Sequence, residues 1–141
     1  GIIETMGLTE TAAPVFAKID CYSIRVDDLD AGIAFYGSLG HGLLWRDGNH
    51  SAGLGLPGSD SELVLHTDDR PFETCLLVES VGATIARITE AGGSLAFGPI
   101  DIRVGKYALL NDPWGNPLPI LDFSKGLLQT DENGNVIGNM A

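Results

Sequence analysis

Few side chains in this sequence could do chemistry, and most of them sit on or beside apolar stretches. Glu73 heads the run Thr74-Cys75-Leu76-Leu77-Val78. A carboxylate held on an apolar surface binds its proton more tightly and can serve as a general base. Paired instead with Arg25 or His66, it would only neutralise a neighbour. His66 ends the apolar segment 62–67 and could be a base or proton shuttle near neutral pH, or simply a solvated residue at a strand end. His41 and His50 lie in or beside turns and read as surface residues. Arg25 could hold an anionic group or pair with a carboxylate at a rim. Cys21 and Cys75 fall in apolar segments with no CxxC and no zinc spacing. A nucleophilic thiol needs a base or a positive field beside it, and none is clearly supplied, so both read as small buried hydrophobes. Trp45, Trp114 and Tyr107 offer flat faces for stacking a ligand, or core contacts. Neither a glycine-rich phosphate loop nor a nucleophile-elbow serine is present.

These groups must be positioned by short elements. Alternation over 19–26 predicts a strand with Tyr22, Ile24 and Val26 on one face and Cys21, Ser23 and Arg25 on the other. Asp27 and Asp28 supply helix-cap chemistry for a helix over 29–39, with Leu29, Ile33 and Tyr36 at helical spacing and Gly40 ending it. Strands are expected at 41–47, 50–56 and 62–67, and Asp68-Asp69-Arg70-Pro71 breaks the pattern. The pattern then restarts: a strand at 74–78, caps at Glu79 and Ser80, a helix over 81–91 closed by Gly92-Gly93, and strands at 94–97, 103–111 and 116–123. Asp112-Pro-Trp-Gly-Asn116 is a tight turn, and Asn133-Gly134 predicts a type I′ hairpin in the tail.

Over 141 residues, a hydrophobic share of 44% against 19% charged supplies a core for one domain and excludes a disordered chain. The apolar runs are too short to span a membrane. A net charge of −11 argues against a nucleic-acid partner; it would favour a cationic one, or it simply keeps the protein in solution, which is the commoner use of net charge. Two cysteines make no disulfide framework. The chain opens Gly1-Ile-Ile-Glu-Thr-Met6, where Met6 is read as the native start; with no signal peptide visible, a cytoplasmic protein is expected.

The two stretches repeat each other. Val26-Asp-Asp-Leu-Asp-Ala31-Gly-Ile33-Ala34 aligns with Val78-Glu-Ser-Val-Gly-Ala83-Thr-Ile85-Ala86, 52 residues on. Each half reads βαβββ, and one such half alone has little core, so two must pair. Together with Ile24-Arg-Val-Asp-Asp-Leu-Asp-Ala-Gly-Ile-Ala-Phe-Tyr36, the helix end Glu90-Ala-Gly-Gly93 and Asp112-Pro-Trp-Gly-Asn116, this resembles the vicinal oxygen chelate superfamily, which includes glyoxalase I, extradiol dioxygenases and bleomycin-resistance proteins. The resemblance implies an α+β fold of two tandem βαβββ modules forming a cupped mixed sheet. The expected organisation is an arm over 1–18, one domain over 19–124 (halves 19–67 and 73–124), and a tail hairpin over 125–141.

The resemblance also says where a metal would sit. Metal-dependent members hold one divalent ion with four inward side chains from the first and last strands of each half. Those positions are here Cys21, Val64, Glu73 and Pro119, and valine and proline have no donor. A three-ligand site from Cys21, His66 and Glu73 is the metal-binding alternative, with Glu62 in reserve through a register slip. The expectation is a cup without metal or other cofactor.

By the same parity the cup carries Cys21, Ser23, Arg25, Glu62, Val64, His66, Glu73, Cys75, Leu77, Pro119, Leu121 and Phe123, with Trp45, Tyr107 and Trp114 as aromatic surfaces and Trp114 at the mouth. Such a face, apolar with a few polar groups, suits a small organic ligand. The function this implies is metal-free binding of a small organic molecule, a cationic one by the charge argument, as in the small acidic dimeric proteins that sequester bleomycin-type drugs. The alternative is a lyase or isomerase using Glu73 or His66 as base. A homodimer is expected by resemblance, and a protein–protein module is the third reading.

Overall fold

The structure is a computed structural model and describes residues 13–140. Most of the expected arm therefore lies outside the described residues. Its end, 13–17, is tied down: Ala17 N–H donates to Leu77 O (2.8 Å), Arg87 Nη1 donates to Ala13 O (2.9 Å), and Phe16 packs on the second half's core.

The first half runs β1 (Lys18–Arg25), α1 (Leu29–Ser38), β2 (Leu43–Asp47), β3 (Ser51–Gly55) and β4 (Glu62–His66). The second repeats it as β5 (Glu73–Leu77), α2 (Val81–Glu90), β6 (Ser94–Ile102), β7 (Gly105–Asn111) and β8 (Pro117–Leu121). The expected caps form: Asp28 Oδ1 accepts from Ala31 N–H (2.9 Å) and Ser80 Oγ from Ala83 N–H (3.2 Å). Gly40 and Gly92 leave the helices at φ 98° and 108°, a left-handed exit that suits glycine.

All eight strands form one sheet in the order β2-β3-β4-β1-β5-β8-β7-β6. Within each half the first and last strands are parallel, and the halves join through the antiparallel pair β1–β5. Both helices lie on one face. Under α1, Leu29, Ala52, Leu54, Leu63 and Leu65 form one core; under α2, Val78, Val81, Ala108, Leu110 and Ile120 form another. The opposite face has its own cluster across the seam, centred on Cys21, Cys75 and Leu121. Because strand side chains alternate, the residues between the helix-side leucines must point into this concave face.

The sheet curls until its two outer ends meet. Arg103, in the turn after β6, makes a two-pronged pair with Asp47 of β2 (Nη2–Oδ1 2.8 Å, Nε–Oδ2 3.2 Å). The tail folds as a hairpin, β9 (Leu128–Thr130) and β10 (Val136–Asn139), that straps the gap: Arg46 N–H donates to Gly134 O (2.8 Å) and Asn139 Nδ2 to Arg103 O (2.8 Å).

Three local expectations are corrected. The strand expected to stop at Phe97 continues to Ile102, passing Gly98-Pro99 through register shifts. Arg103 belongs to the turn and not to β7. The tail turn is not a two-residue Asn-Gly turn. Asp131 organises it, accepting from Asn133 N–H (2.8 Å) and Asn135 N–H (2.9 Å), with Gly134 at φ 85°. Asp112-Pro-Trp-Gly-Asn116 uses the same device, Asp112 accepting from Trp114 and Asn116 N–H.

Candidate functional site

The concave face gathers most of the expected site. Cys21 and Cys75 are 6% and 4% exposed, and with Leu121 they carry Val64, Leu77, Ile102, Tyr107 and Phe123 around them. Ser23 is buried beside them and sits between Val64 and Glu73 in register. Pro119 opposes Leu109 and is buried. Two expected members fall outside. Arg25 is an exposed rim residue paired with Asp27 (2.6 Å) and Asp69 (3.6 Å). Trp114 is 84% exposed at the β7–β8 turn and joins no core cluster, so it does not line the cup.

Glu73 is half-buried, and its partner is neither Arg25 nor His66. Tyr107 Oη–H donates to Glu73 Oε2 (2.8 Å), and the Cys75 thiol to Oε1 (3.6 Å). Burial, then the bond to Glu73, pushes the Tyr107 hydroxyl well above the usual phenol range. It stays a donor at any physiological pH.

A second carboxylate stands on β4, across β1 from Glu73. Trp45 Nε1–H donates to Glu62 Oε1 (2.8 Å), and the indole stands against Gly53, where any Cβ would collide with it. Burial pushes Glu62 above the usual carboxylate range against that hydrogen bond, and the neighbouring Asp20 charge adds to it. Asp20 sits at the register shift in β1 and is itself pushed up, first by burial. Glu62 forms one wall of a groove of about 540 Å³ whose other lining includes Leu43, Leu44, Leu56, Pro57 and Asp60. An apolar groove with a poorly compensated carboxylate suits an organic cation.

His66 shares the face of Val64 and Glu62 by alternation, opposite Arg25 and Ser51. It is 0% exposed, not solvated at a strand end, and among the described residues neither ring nitrogen has a hydrogen-bond partner. Burial, then the nearby Arg70 charge, pushes its pKa below the usual histidine range, against the pull of Asp68 and Glu73. A group whose folded pKa is depressed gives stability that is complete above its unfolded value and lost as pH falls through the folded one. The wild type should therefore lose urea resistance between pH 7.5 and 5 by more than His66→Phe does. Parallel losses in the two proteins would refute the assignment. His41, read as a surface residue, is half-buried with Nδ1 3.0 Å from Gly55 O.

The metal positions carry an incomplete donor set. Val64 and Pro119 remain without donors, Glu73 is held by Tyr107 and Cys75, and Cys21 lies among apolar side chains. Among the described residues no three His, Cys, Asp or Glu side chains converge, so Cys21, His66 and Glu73 do not form the three-ligand alternative. At these four positions the residues present do not make a donor set for a divalent ion.

Two contacts of the candidate site escaped the sequence. The Tyr107–Glu73 and Trp45–Glu62 pairs join residues 34 and 17 positions apart, and no local signal in the sequence marks either pairing. No helix among the described residues is long and apolar enough to cross a membrane.

Comparison with known proteins agrees with this architecture. The profile of the Glyoxalase/Bleomycin resistance protein/Dioxygenase superfamily matches residues 18–120. An uncharacterized protein of Mycolicibacterium smegmatis is 34% identical over 100 residues, covering 67% of this chain and 84% of that one. The crystal structure of methylmalonyl-CoA epimerase from Mycobacterium tuberculosis superposes with a TM-score of 0.65 at 20% identity, over 80% of this chain and 92% of that one. The Mn(II)-bound glyoxalase from Novosphingobium aromaticivorans gives 0.54 at 19% identity, over 90% of this chain and 42% of that one. At those identities the two structures speak for the fold alone. With the repeated βαβββ halves, the cupped sheet and the match over most of its length, the chain belongs to the glyoxalase/bleomycin resistance protein/dioxygenase superfamily.

Proposed function

We propose that this chain binds a small organic cation on the concave face of its sheet, without a resident metal and without turning the ligand over. One observation carries the reading: two of the four positions where metal-dependent members place ligands are Val64 and Pro119, and the carboxylate at a third, Glu73, is already engaged by Tyr107 and Cys75. Glu62, in the groove wall, supplies a negative charge, the Trp45 indole bonded to it supplies an aromatic ring behind that wall, and the net charge of −11 favours cation approach. Sequestration by an acidic homodimer, as in drug-binding members of the superfamily, is the corresponding biological role.

The test is elemental analysis of protein purified without chelator or metal-affinity resin, repeated after incubation with Ni²⁺, Zn²⁺, Mn²⁺ and Fe²⁺. Only trace metal is expected at each stage, together with stoichiometric binding of an aromatic cation by calorimetry that Glu62→Gln weakens about tenfold or more. Near-stoichiometric metal that Glu73→Ala abolishes would overturn the reading.

A second reading is favoured by His66 and Glu73. A buried imidazole with both nitrogens free, close enough to Glu73 to feel its charge, is suited to moving a proton on a bound substrate. The chain would then be a lyase or isomerase, and an epimerase is among its structural neighbours. Solvent-deuterium incorporation into a bound ligand would favour this reading over sequestration.

A further inference from the structure

Cys21 and Cys75 stand directly opposite each other in the antiparallel pair β1–β5, the seam that joins the two halves. Both are free thiols on the concave face, in one apolar cluster, and both are buried. Directly opposed residues of antiparallel strands have Cα atoms about 4.5 or about 5.5 Å apart. A disulfide accepts Cα separations of about 4.4–6.8 Å, and both spacings fall within that range. Cys75 Sγ–H already points at Glu73 Oε1 (3.6 Å), which gives its proton an acceptor.

We propose that Cys21 and Cys75 are a redox pair, oxidised by a small peroxide to a cross-strand disulfide that locks the seam beneath the cup. The Cys75 sulfur attacks one peroxide oxygen, breaking the O–O bond; the Cys75 proton leaves through Glu73, and water or an alcohol departs. The resulting sulfenic acid is attacked by the Cys21 sulfur, forming S–S and releasing water. Overall two thiols and one peroxide give one disulfide, one alcohol or water, and one water; the sulfurs are oxidised by two electrons and the peroxide is reduced. Burial shields both thiols, so the step is slow, and it selects a small uncharged oxidant over a bulky disulfide.

The experiment treats the folded full chain with hydrogen peroxide, quenches with catalase, and alkylates in denaturant with N-ethylmaleimide before mass spectrometry. The expected product is monomeric in mass, lacks two hydrogens, carries no alkylated cysteine, and yields one cross-linked peptide pair containing Cys21 and Cys75. Dithiothreitol restores two alkylation sites. The oxidised protein unfolds at higher urea than the reduced one, because the bond closes a long loop in the unfolded chain. Cys21→Ser and Cys75→Ser give no such product under the same treatment. Two alkylated cysteines after an exposure that fully oxidises the urea-unfolded chain, sulfinic acid on either thiol in place of the bond, or an intermolecular bridge would each overturn the proposal. An unchanged urea midpoint would overturn the locking of the seam.

Discussion

Asp122→Ala is expected to destabilise the fold by about 3–5 kcal/mol, among the largest effects of any single exchange outside the apolar cores. The carboxylate follows the last strand of the second half and is only 3% exposed. Its Oδ2 accepts from Val81 N–H (2.9 Å), at the first residue of α2, where the helix dipole favours a negative charge. Its Oδ1 accepts from Lys106 N–H (3.0 Å), Ser124 N–H (3.1 Å) and Ser124 Oγ–H (2.7 Å). One side chain thus ties α2, β7 and the start of the tail together. Alanine leaves three backbone donors without partners, each worth about 1–3 kcal/mol when water cannot replace the acceptor. Asp122→Asn keeps one acceptor oxygen but presents an NH₂ group to a second set of donors, so an intermediate loss is expected.

The pH dependence of that loss follows from the same contacts. Burial alone would push the Asp122 carboxyl up, but the hydrogen bonds from Val81, Ser124 and Lys106 outweigh it and hold the group below the usual carboxylate range. Its contribution is then fully present above the unfolded value and is lost as pH falls through the folded one. Urea unfolding followed by circular dichroism should show the gap between wild type and Asp122→Ala wide at pH 7 and closing below about pH 4. A gap under about 1 kcal/mol at pH 7 would show that solvent reaches these donors after all.

How much of this was readable from the chain depends on the distance over which each decision is made. The faces of β1, β4, β5 and β8 were legible because alternation is local: Leu63 and Leu65 go to the helices, so Glu62, Val64 and His66 go to the cup. The caps Asp28 and Ser80 were legible for the same reason. Closure of the sheet was not. Arg103 and Asp47 are 56 positions apart, and nothing near either residue marks the other. Asp122 was missed because its partners come from α2, β7 and the tail, while its neighbours read only as the end of a strand. Strand β6 outran its expected end because the sheet absorbs Gly98-Pro99 at an edge, where a missing N–H costs no ladder bond. Trp114 was misplaced because an aromatic residue's type says nothing about which end of a turn it leaves by.

Gly53→Ala should cost about 2–4 kcal/mol and should also disable the Glu62 side of the proposed site. Gly53 is buried in β3, paired with Val64 on one side and Trp45 on the other, and the Trp45 indole occupies the space a Cβ needs. The backbone cannot yield cheaply, because Ala52 and Leu54 on either side are packed under α1. The indole must therefore swing off, and its N–H leaves Glu62. That carboxylate, already pushed up by burial, then holds its proton more tightly and loses its value to a bound cation. Fluorescence reports the event if the exposed Trp114 is first replaced by Phe, leaving Trp45 as the one emitter. Emission should move to the red in Gly53→Ala, and cation affinity should fall as far as in Glu62→Gln. Coupling completes the case: once Trp45→Ala is in place, Gly53→Ala should cost almost nothing, because the clash partner is gone. If the two costs simply add, the strain lies in the β3 backbone and the indole is not its source.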